Sequence, residues 1–285
     1  MKLPDLSNSM YVAGLRYIQS IHEAPEHRNP DLQVGRFLPR LNRLRRAWIR
    51  PKTLSALRAD PFYYYLLART RYYDKVLTDA VALDGVRRIV SVGCGSDTRA
   101  YRFKQLLVNK GVRVLECDQA QAIRAKERLT VGWGLDHVDY LPLDLNDGAW
   151  PELERRLAGG AGQTTLVLLE GVSPYVDASA FAQFLSFISM VLAEGSYLVY
   201  DFKIQGYKDK FGRDGRTVTP FRLPSARDEV ASFHQSRGLS LERLELSAEL
   251  CQRLLPRAVQ PDTTLFHEDC LIQLRIDRVH SLCAP

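Results

Sequence analysis

Hydrophobic and polar positions along this 285-residue chain change character after residue 82. Before that point apolar residues recur at helical spacing. A first helix is expected over residues 9–21, stopped by Pro25 and Pro30, and a second over 32–57. A third opens at Asp60-Pro61, with Asp60 as N-cap and Pro61 at the first helical position, and carries Phe62-Tyr63-Tyr64-Tyr65-Leu66-Leu67.

From Val86 short apolar runs alternate with helical stretches. Strands are expected at 88–92, 111–117, 138–143, 164–170 and 196–201, and helices at 98–109, 119–129 and 178–192. This βαβα rhythm implies a parallel sheet covered on both faces. Residues 239–246 and 271–276 also read as strands, separated by a helical 248–254, and suit an antiparallel hairpin completing one edge. The polar, glycine-bearing stretch between Lys203 and Pro224 has no period and reads as a lid or binding loop. The expected division is a helical cap over residues 1–82 and an α/β core over 83–285.

Composition changes this picture little. Hydrophobic content of 46% and charged content of 25% are those of an ordinary globular protein. No apolar run approaches the roughly 20 residues that span a bilayer, and Met1 to Ser7 lacks a signal-peptide core. Cys94, Cys117, Cys251, Cys270 and Cys283 are odd in number and lack C-x-x-C spacing, which argues against a disulfide framework or a metal site and for a reducing cytoplasm.

Charge is uneven. Residues 1–75 hold 14 Lys/Arg against 6 Asp/Glu, and the remainder 25 against 27. The excess is densest from Arg36 to Arg58, where Leu38, Leu41, Leu44 and Trp48 lie between the arginines. A solvated face of an amphipathic helix is the favoured reading; an electropositive surface for a carrier protein or acidic substrate is the other. No nucleic-acid-binding module accompanies the charge.

The candidate chemistry lies at strand ends, where open α/β sheets bind ligands. The first strand runs into Gly93-Cys94-Gly95, a turn that lets a ligand approach the backbone. The third glycine of the dinucleotide fingerprint is missing, and Asp97 would repel a pyrophosphate. The next strand ends in Glu116-Cys117-Asp118, the third runs into Asp144-Leu145-Asn146, and the fourth ends in Glu170-Gly171. Asp118 and Asp144 are also suited to cap helices. Four successive endings of this kind instead favour an adenosine cofactor with a positive centre and no phosphates, a description that S-adenosylmethionine meets.

Arg69-Thr70-Arg71-Tyr72-Tyr73-Asp74, Gly93-Cys94-Gly95-Ser96-Asp97-Thr98-Arg99, Glu116-Cys117-Asp118, Asp144-Leu145 and Glu170-Gly171-Val172-Ser173-Pro174-Tyr175 together resemble the leucine carboxyl methyltransferase family, over about residues 10–205. The resemblance implies a class I methyltransferase-like fold: a doubly wound, mostly parallel seven-stranded sheet with an N-terminal helical lid. It also implies S-adenosyl-L-methionine as cofactor. Gly93 and Gly95 would contact its methionine part and ribose, Asp118 with Glu116 beside it the ribose hydroxyls, and Asp144 and Leu145 the adenine. Arg69 would pair with its carboxylate, Glu170 would face its amino end, and Arg16 would close over it. The plainer reading of Arg69 is a surface ion pair with Asp74. Ser173-Pro174 and the long region around Ala47-Trp48-Ile49-Arg50-Pro51 depart from the family where it builds its substrate pocket.

The expected activity is O-methylation of a small-molecule carboxylate, of the kind found in secondary metabolism, with Tyr175 orienting the substrate. The acceptor is a small molecule, free or carrier-linked, and the protein a monomer or weak dimer. A phenol or enol acceptor would call for a base, for which Tyr175, His234 and His267 are on offer. A nicotinamide oxidoreductase and a non-catalytic cofactor- or carrier-binding protein are the competing classes.

Overall fold

In the computed structural model, residues 8–159, 162–206, 220–255 and 265–277 are described. The described helices before the sheet are α1 (Asn8–His22), α2 (Arg40–Ala47), α3 (Pro51–Arg58) and α4 (Pro61–Ala82). The expected continuous helix over 32–57 is broken into a 3-10 turn at Leu32–Phe37, then α2, then α3. Pro39 and Pro51 each stand directly before or at the start of a new helix, where their missing N–H is harmless. Asp60 caps α4 as expected, its carboxylate accepting from the Phe62 amide at 2.9 Å.

The alternating part then follows: β1 (Arg88–Val92), α5 (Arg99–Arg102), α6 (Lys104–Asn109), β2 (Arg113–Asp118), α7 (Ala120–Thr130), β3 (Val138–Pro142), α8 (Pro151–Ala158), β4 (Thr165–Leu169), α9 (Ala178–Val191), β5 (Tyr197–Ile204), β6 (Arg222–Leu223), α10 (Arg227–Gln235), β7 (Leu239–Leu246), α11 (Ser247–Leu254) and β8 (Asp269–Ile276). One sheet runs in the order β3-β2-β1-β4-β5-β8-β7, and the two-residue β6 pairs with the end of β5. The first five strands are parallel, and β8 runs antiparallel to both β5 and β7. The expected seven strands are thus joined by an eighth. The expected hairpin lies at the edge, with β8 inserted between β5 and β7.

Both faces of the central strands are apolar, because helices cover both. Val90, Val92, Leu115, Cys117, Val167 and Leu169 face α8, α9 and α10. The alternate residues Ile89, Val114, Leu166 and Leu168 face α4, α6 and α11. Through Tyr65, Leu67, Ala68, Tyr72, Tyr73 and Leu77, α4 enters that second core directly. Part of the expected loop between Lys203 and Pro224 lies outside the described residues, as does Cys283.

Candidate active site

The reversal of strand order at β1 opens a crevice above the carboxyl ends of β1, β2 and β4, the usual ligand position in such sheets. Gly93 and Gly95 both take left-handed backbone angles there, φ +65° and +38°, which favour glycine. A Cβ on Gly93 would strike Val172 at 2.4 Å, so this glycine lets the β4 loop pack against the turn. A Cβ on Gly95 would meet nothing closer than 3.8 Å.

The acidic strand ends converge on this turn. One Asp118 oxygen accepts from the Gly95 amide and the other from the Gln119 amide, each at 2.7 Å. Gln119 Nε2 donates in turn to Asp144 Oδ2 at 2.7 Å. Gly93, Gly95, Asp118, Asp144, Glu170 and Tyr175 are all partly exposed, while Leu145 is buried. Tyr175 ends a 3-10 turn, Ser173–Tyr175, immediately past Glu170 and Gly171.

Glu116 sits differently. It is buried, with one oxygen 2.9 Å from Lys126 Nζ and the other 2.5 Å from the Tyr101 hydroxyl. Burial, opposed by Lys126, pushes its carboxyl above the ordinary value. Both oxygens are committed inward, so Glu116 lies behind the accessible row rather than beside Asp118 in it.

Below the row is a network of buried charge that sequence reasoning did not assemble. Arg99 is 2% exposed, with Nε 2.9 Å from Asp74 and Nη1 3.2 Å from Asp97 and 2.7 Å from Glu170. Arg102 forms two hydrogen bonds of 2.7 Å to Asp74. Arg69 reaches Glu170 at 3.1 Å and Asp201 at 3.3 Å. The plainer expectation for Arg69, a surface pair with Asp74, is therefore wrong: Arg69 is buried, and Asp74 serves Arg99 and Arg102 instead.

Asp201, within β5, holds the β4 loop in place. It accepts from the Gly171 amide at 2.7 Å and from the Tyr73 hydroxyl at 2.9 Å. The expected strand 196–201 stops on this acidic residue, which was the available signal, although β5 itself runs on to Ile204. Burial pushes the Asp201 carboxyl up, against the pull of Arg69. Burial acts the same way on Glu170, but Arg99, Arg69 and Arg16 outweigh it and hold that carboxyl below its ordinary value.

Arg16 brings α1 to the same place. Its Nη2 donates to the Ser96 carbonyl at 2.9 Å, and Nη1 is 3.4 Å from Asp31, so a guanidinium lies over the glycine turn. Its Nε is buried with no hydrogen-bond partner. The residue that spoils the dinucleotide pattern also has a structural part. Asp97 accepts from the Arg99 amide at 2.9 Å, closing the turn. Despite burial, the Arg99 charge holds its carboxyl well below the usual range.

The other candidates fall outside the crevice or are chemically quiet. His234 is fully buried between α10 and β5, with Nδ1 2.6 Å from the Val230 carbonyl and Nε2 2.6 Å from the Tyr200 hydroxyl. A carbonyl only accepts, so Nδ1 carries the proton and Nε2 accepts from Tyr200. Burial pushes the Cys94 thiol up and leaves it a poor nucleophile. Among the described residues no cluster of His, Cys, Asp and Glu could hold a metal ion, and no helix is long and apolar enough to cross a membrane.

Fold and site together define a doubly wound α/β protein whose ligand edge is lined by carboxylates and a two-glycine turn. The model of the family described as "Leucine carboxyl methyltransferase" matches residues 32–189, more than half of the chain. The chain belongs to this family.

A "Putative S-adenosyl-L-methionine-dependent methyltransferase" of Mycobacterium marinum is 35% identical over 134 residues, 46% of this chain and 43% of the relative. A protein of the same description from Mycolicibacterium paratuberculosis is 28% identical over 205 residues, 67% of this chain and 66% of the relative. The matched stretches thus span between 43% and 66% of these relatives' length. A solved magnesium protoporphyrin IX methyltransferase from Synechocystis PCC 6803 aligns with a TM-score of 0.47 at 10% identity, covering 75% of this chain and 86% of that one.

Proposed function

We propose that the protein is an S-adenosylmethionine-dependent O-methyltransferase acting on a small-molecule carboxylate. The observation that carries this reading is the charge of the crevice. Arg16, Arg69, Arg99 and Arg102 face Asp31, Asp74, Asp97, Glu170 and Asp201 in one network, so carboxylates outnumber guanidinium groups before Asp118 and Asp144 are added. An excess of negative charge suits a cationic sulfonium and ammonium and opposes a pyrophosphate. Family membership and the descriptions of the mycobacterial relatives support the same cofactor.

In this reading Asp118 takes the ribose hydroxyls with the oxygens that now cap Gly95 and Gln119. Asp144 and the backbone at Leu145 take the adenine. Gly95 leaves room for the ribose and methionine part, Gly93 offers its backbone beside it, and Glu170 faces the ammonium. Arg69 offers Nη2, which lies beside Gly171 and donates to no described residue, to the carboxylate. Arg16 fixes the turn from above, and Glu116 positions the β2 end from behind through Lys126 and Tyr101. The helices before residue 82 act as the cap of the core that follows.

When bound, the cofactor supplies an activated methyl group for in-line displacement. The chain's own task is to orient the acceptor and exclude water. A carboxylate acceptor is already ionised at neutral pH, so no base is needed, and in this reading Tyr175 aims it. With His234 sequestered in the core, a phenol acceptor would have fewer bases to draw on. Incubation with methyl-labelled S-adenosylmethionine and candidate carboxylic acids tests the reading. The expected product is an ester that releases labelled methanol in mild alkali; an alkali-stable methyl group would point to an ether or amine and overturn the carboxylate assignment.

A further inference from the structure

Helix α2 turns its apolar stripe away from the protein. Leu41, Leu44 and Trp48 are three and four residues apart, hence on one face, and are 60%, 55% and 84% exposed. The side facing the protein is held by polar contacts. Arg46 is buried against Gly14 of α1, donating to the Asn42 carbonyl at 3.2 Å, and its own carbonyl lies 2.9 Å from His22 Nε2. An amphipathic surface helix normally packs the other way round. Arg36, Arg40, Arg45 and Arg50 are exposed, as a solvated basic face requires, but Arg46 is buried, and Leu41, Leu44 and Trp48 are exposed with them, although Leu38 is buried.

The charge around the stripe is of one sign. Between Asp31 and Asp60 the chain holds seven arginines, one lysine and no acidic residue. Arg46 points inward and Arg58 pairs with Glu23 at 3.0 Å. Neither hydrogen bond nor ion pair links Arg36, Arg40, Arg43, Arg45, Arg50 or Lys52 to a described side chain, though Arg36 stacks on the Trp133 ring at 3.8 Å. Unneutralised cations thus flank exposed leucines and a tryptophan.

We propose that α2 and the flanking residues Arg36–Lys52 dock the protein on an anionic phospholipid surface, with Leu41, Leu44 and Trp48 entering the headgroup–acyl boundary. An apolar face rimmed by arginines is the physical description of a helix that lies in a membrane interface, and an indole favours that depth. The alternatives fit less well. Two copies meeting through this face would bring like charges together without one carboxylate to offset them. A nucleic acid would leave the apolar stripe against a phosphate backbone. An acidic protein would need a pocket shaped to three large, mostly exposed side chains, whereas a fluid lipid boundary yields to them. The docking does not depend on methyl transfer.

Flotation of the full-length protein with vesicles tests it, using phosphatidylcholine alone and an equimolar mixture with phosphatidylglycerol. The protein should float with the mixed vesicles and not with phosphatidylcholine alone, with a blue shift in tryptophan emission. Trp48→Phe should remove most of that shift while still floating. Leu41→Ser with Leu44→Ser and Trp48→Ser should weaken partitioning at least about tenfold, and Arg40→Gln with Arg45→Gln by about fivefold per charge. All five positions are exposed, and circular dichroism checks that the variants fold. Absence of flotation with anionic vesicles, or equal flotation of the triple variant, would overturn the proposal. So would a concentration-dependent dimer that the triple variant abolishes, or binding of an acidic protein in preference to the vesicles.

Discussion

At the carboxyl edge of the sheet, Arg16, Arg69 and Arg99 are buried and Arg102 is partly exposed among five carboxylates, whereas on α2 Arg40, Arg43 and Arg45 stand at or near the surface with none. The residue type is the same and the physics differs. A buried guanidinium has lost its hydration and holds its place only through well-aligned partners. At the surface, hydration already satisfies it, and its field acts on whatever approaches. The first set builds the protein, and the second leaves it available.

Substitutions should separate the two sets by size of effect. The largest is expected at Arg99. Arg99→Ala leaves Asp97 and Glu170 beside each other, both largely enclosed, without their shared buried cation, a loss of about 3–5 kcal/mol in urea denaturation. A change under about 1 kcal/mol would mean that the network behaves like a surface pair, and the comparison would fail.

A pH effect of nearly that size is expected from the core beside β5. Burial lowers His234 from its ordinary 6.5 to about 4. For a group depressed on folding, the contribution is complete above pH 6.5 and is lost as pH falls towards 4. The loss is roughly 3 kcal/mol. Titration of the His234 ring protons by NMR checks this, and an ordinary midpoint near 6.5 would contradict it.

Asp118 lies between the extremes, partly exposed and hydrogen-bonded. Asp118→Ala should weaken S-adenosylmethionine binding by about 1–3 kcal/mol in calorimetry while lowering stability less than Arg99→Ala does. Unchanged affinity would refute the ribose assignment. The smallest effect belongs to α2. Arg45→Gln should change stability by no more than about 0.5 kcal/mol, and a larger loss would show that Arg45 has a partner in the fold.

The sequence made the strands legible because their two-faced apolar runs are set locally. Residues 88–92 and 239–246 are found as expected. The helix ends were also close, but 32–57 and 98–109 each break into shorter pieces, at Pro39 and Pro51 in the first and at Phe103 in the second. Tertiary packing decides whether a helix continues through such positions.

The accessible acids of the crevice could be read from strand ends. The ion network beneath could not, because Asp31, Asp74, Asp97, Glu170 and Asp201 come from five separate places in the chain. Arg99 and Arg102 were hidden for a related reason. An arginine at helical spacing reads as surface until its partners are known, and here those partners lie on α4, the glycine turn and the β4 loop.

The central claim is that the carboxylate-lined crevice holds a phosphate-free, cationic adenosine cofactor. Titration calorimetry of the full-length protein with S-adenosylmethionine, S-adenosylhomocysteine and NAD tests it most directly. Both sulfur compounds should bind with one-to-one stoichiometry and NAD should give no heat of binding. Binding of NAD, or silence with both sulfur compounds, would contradict the account.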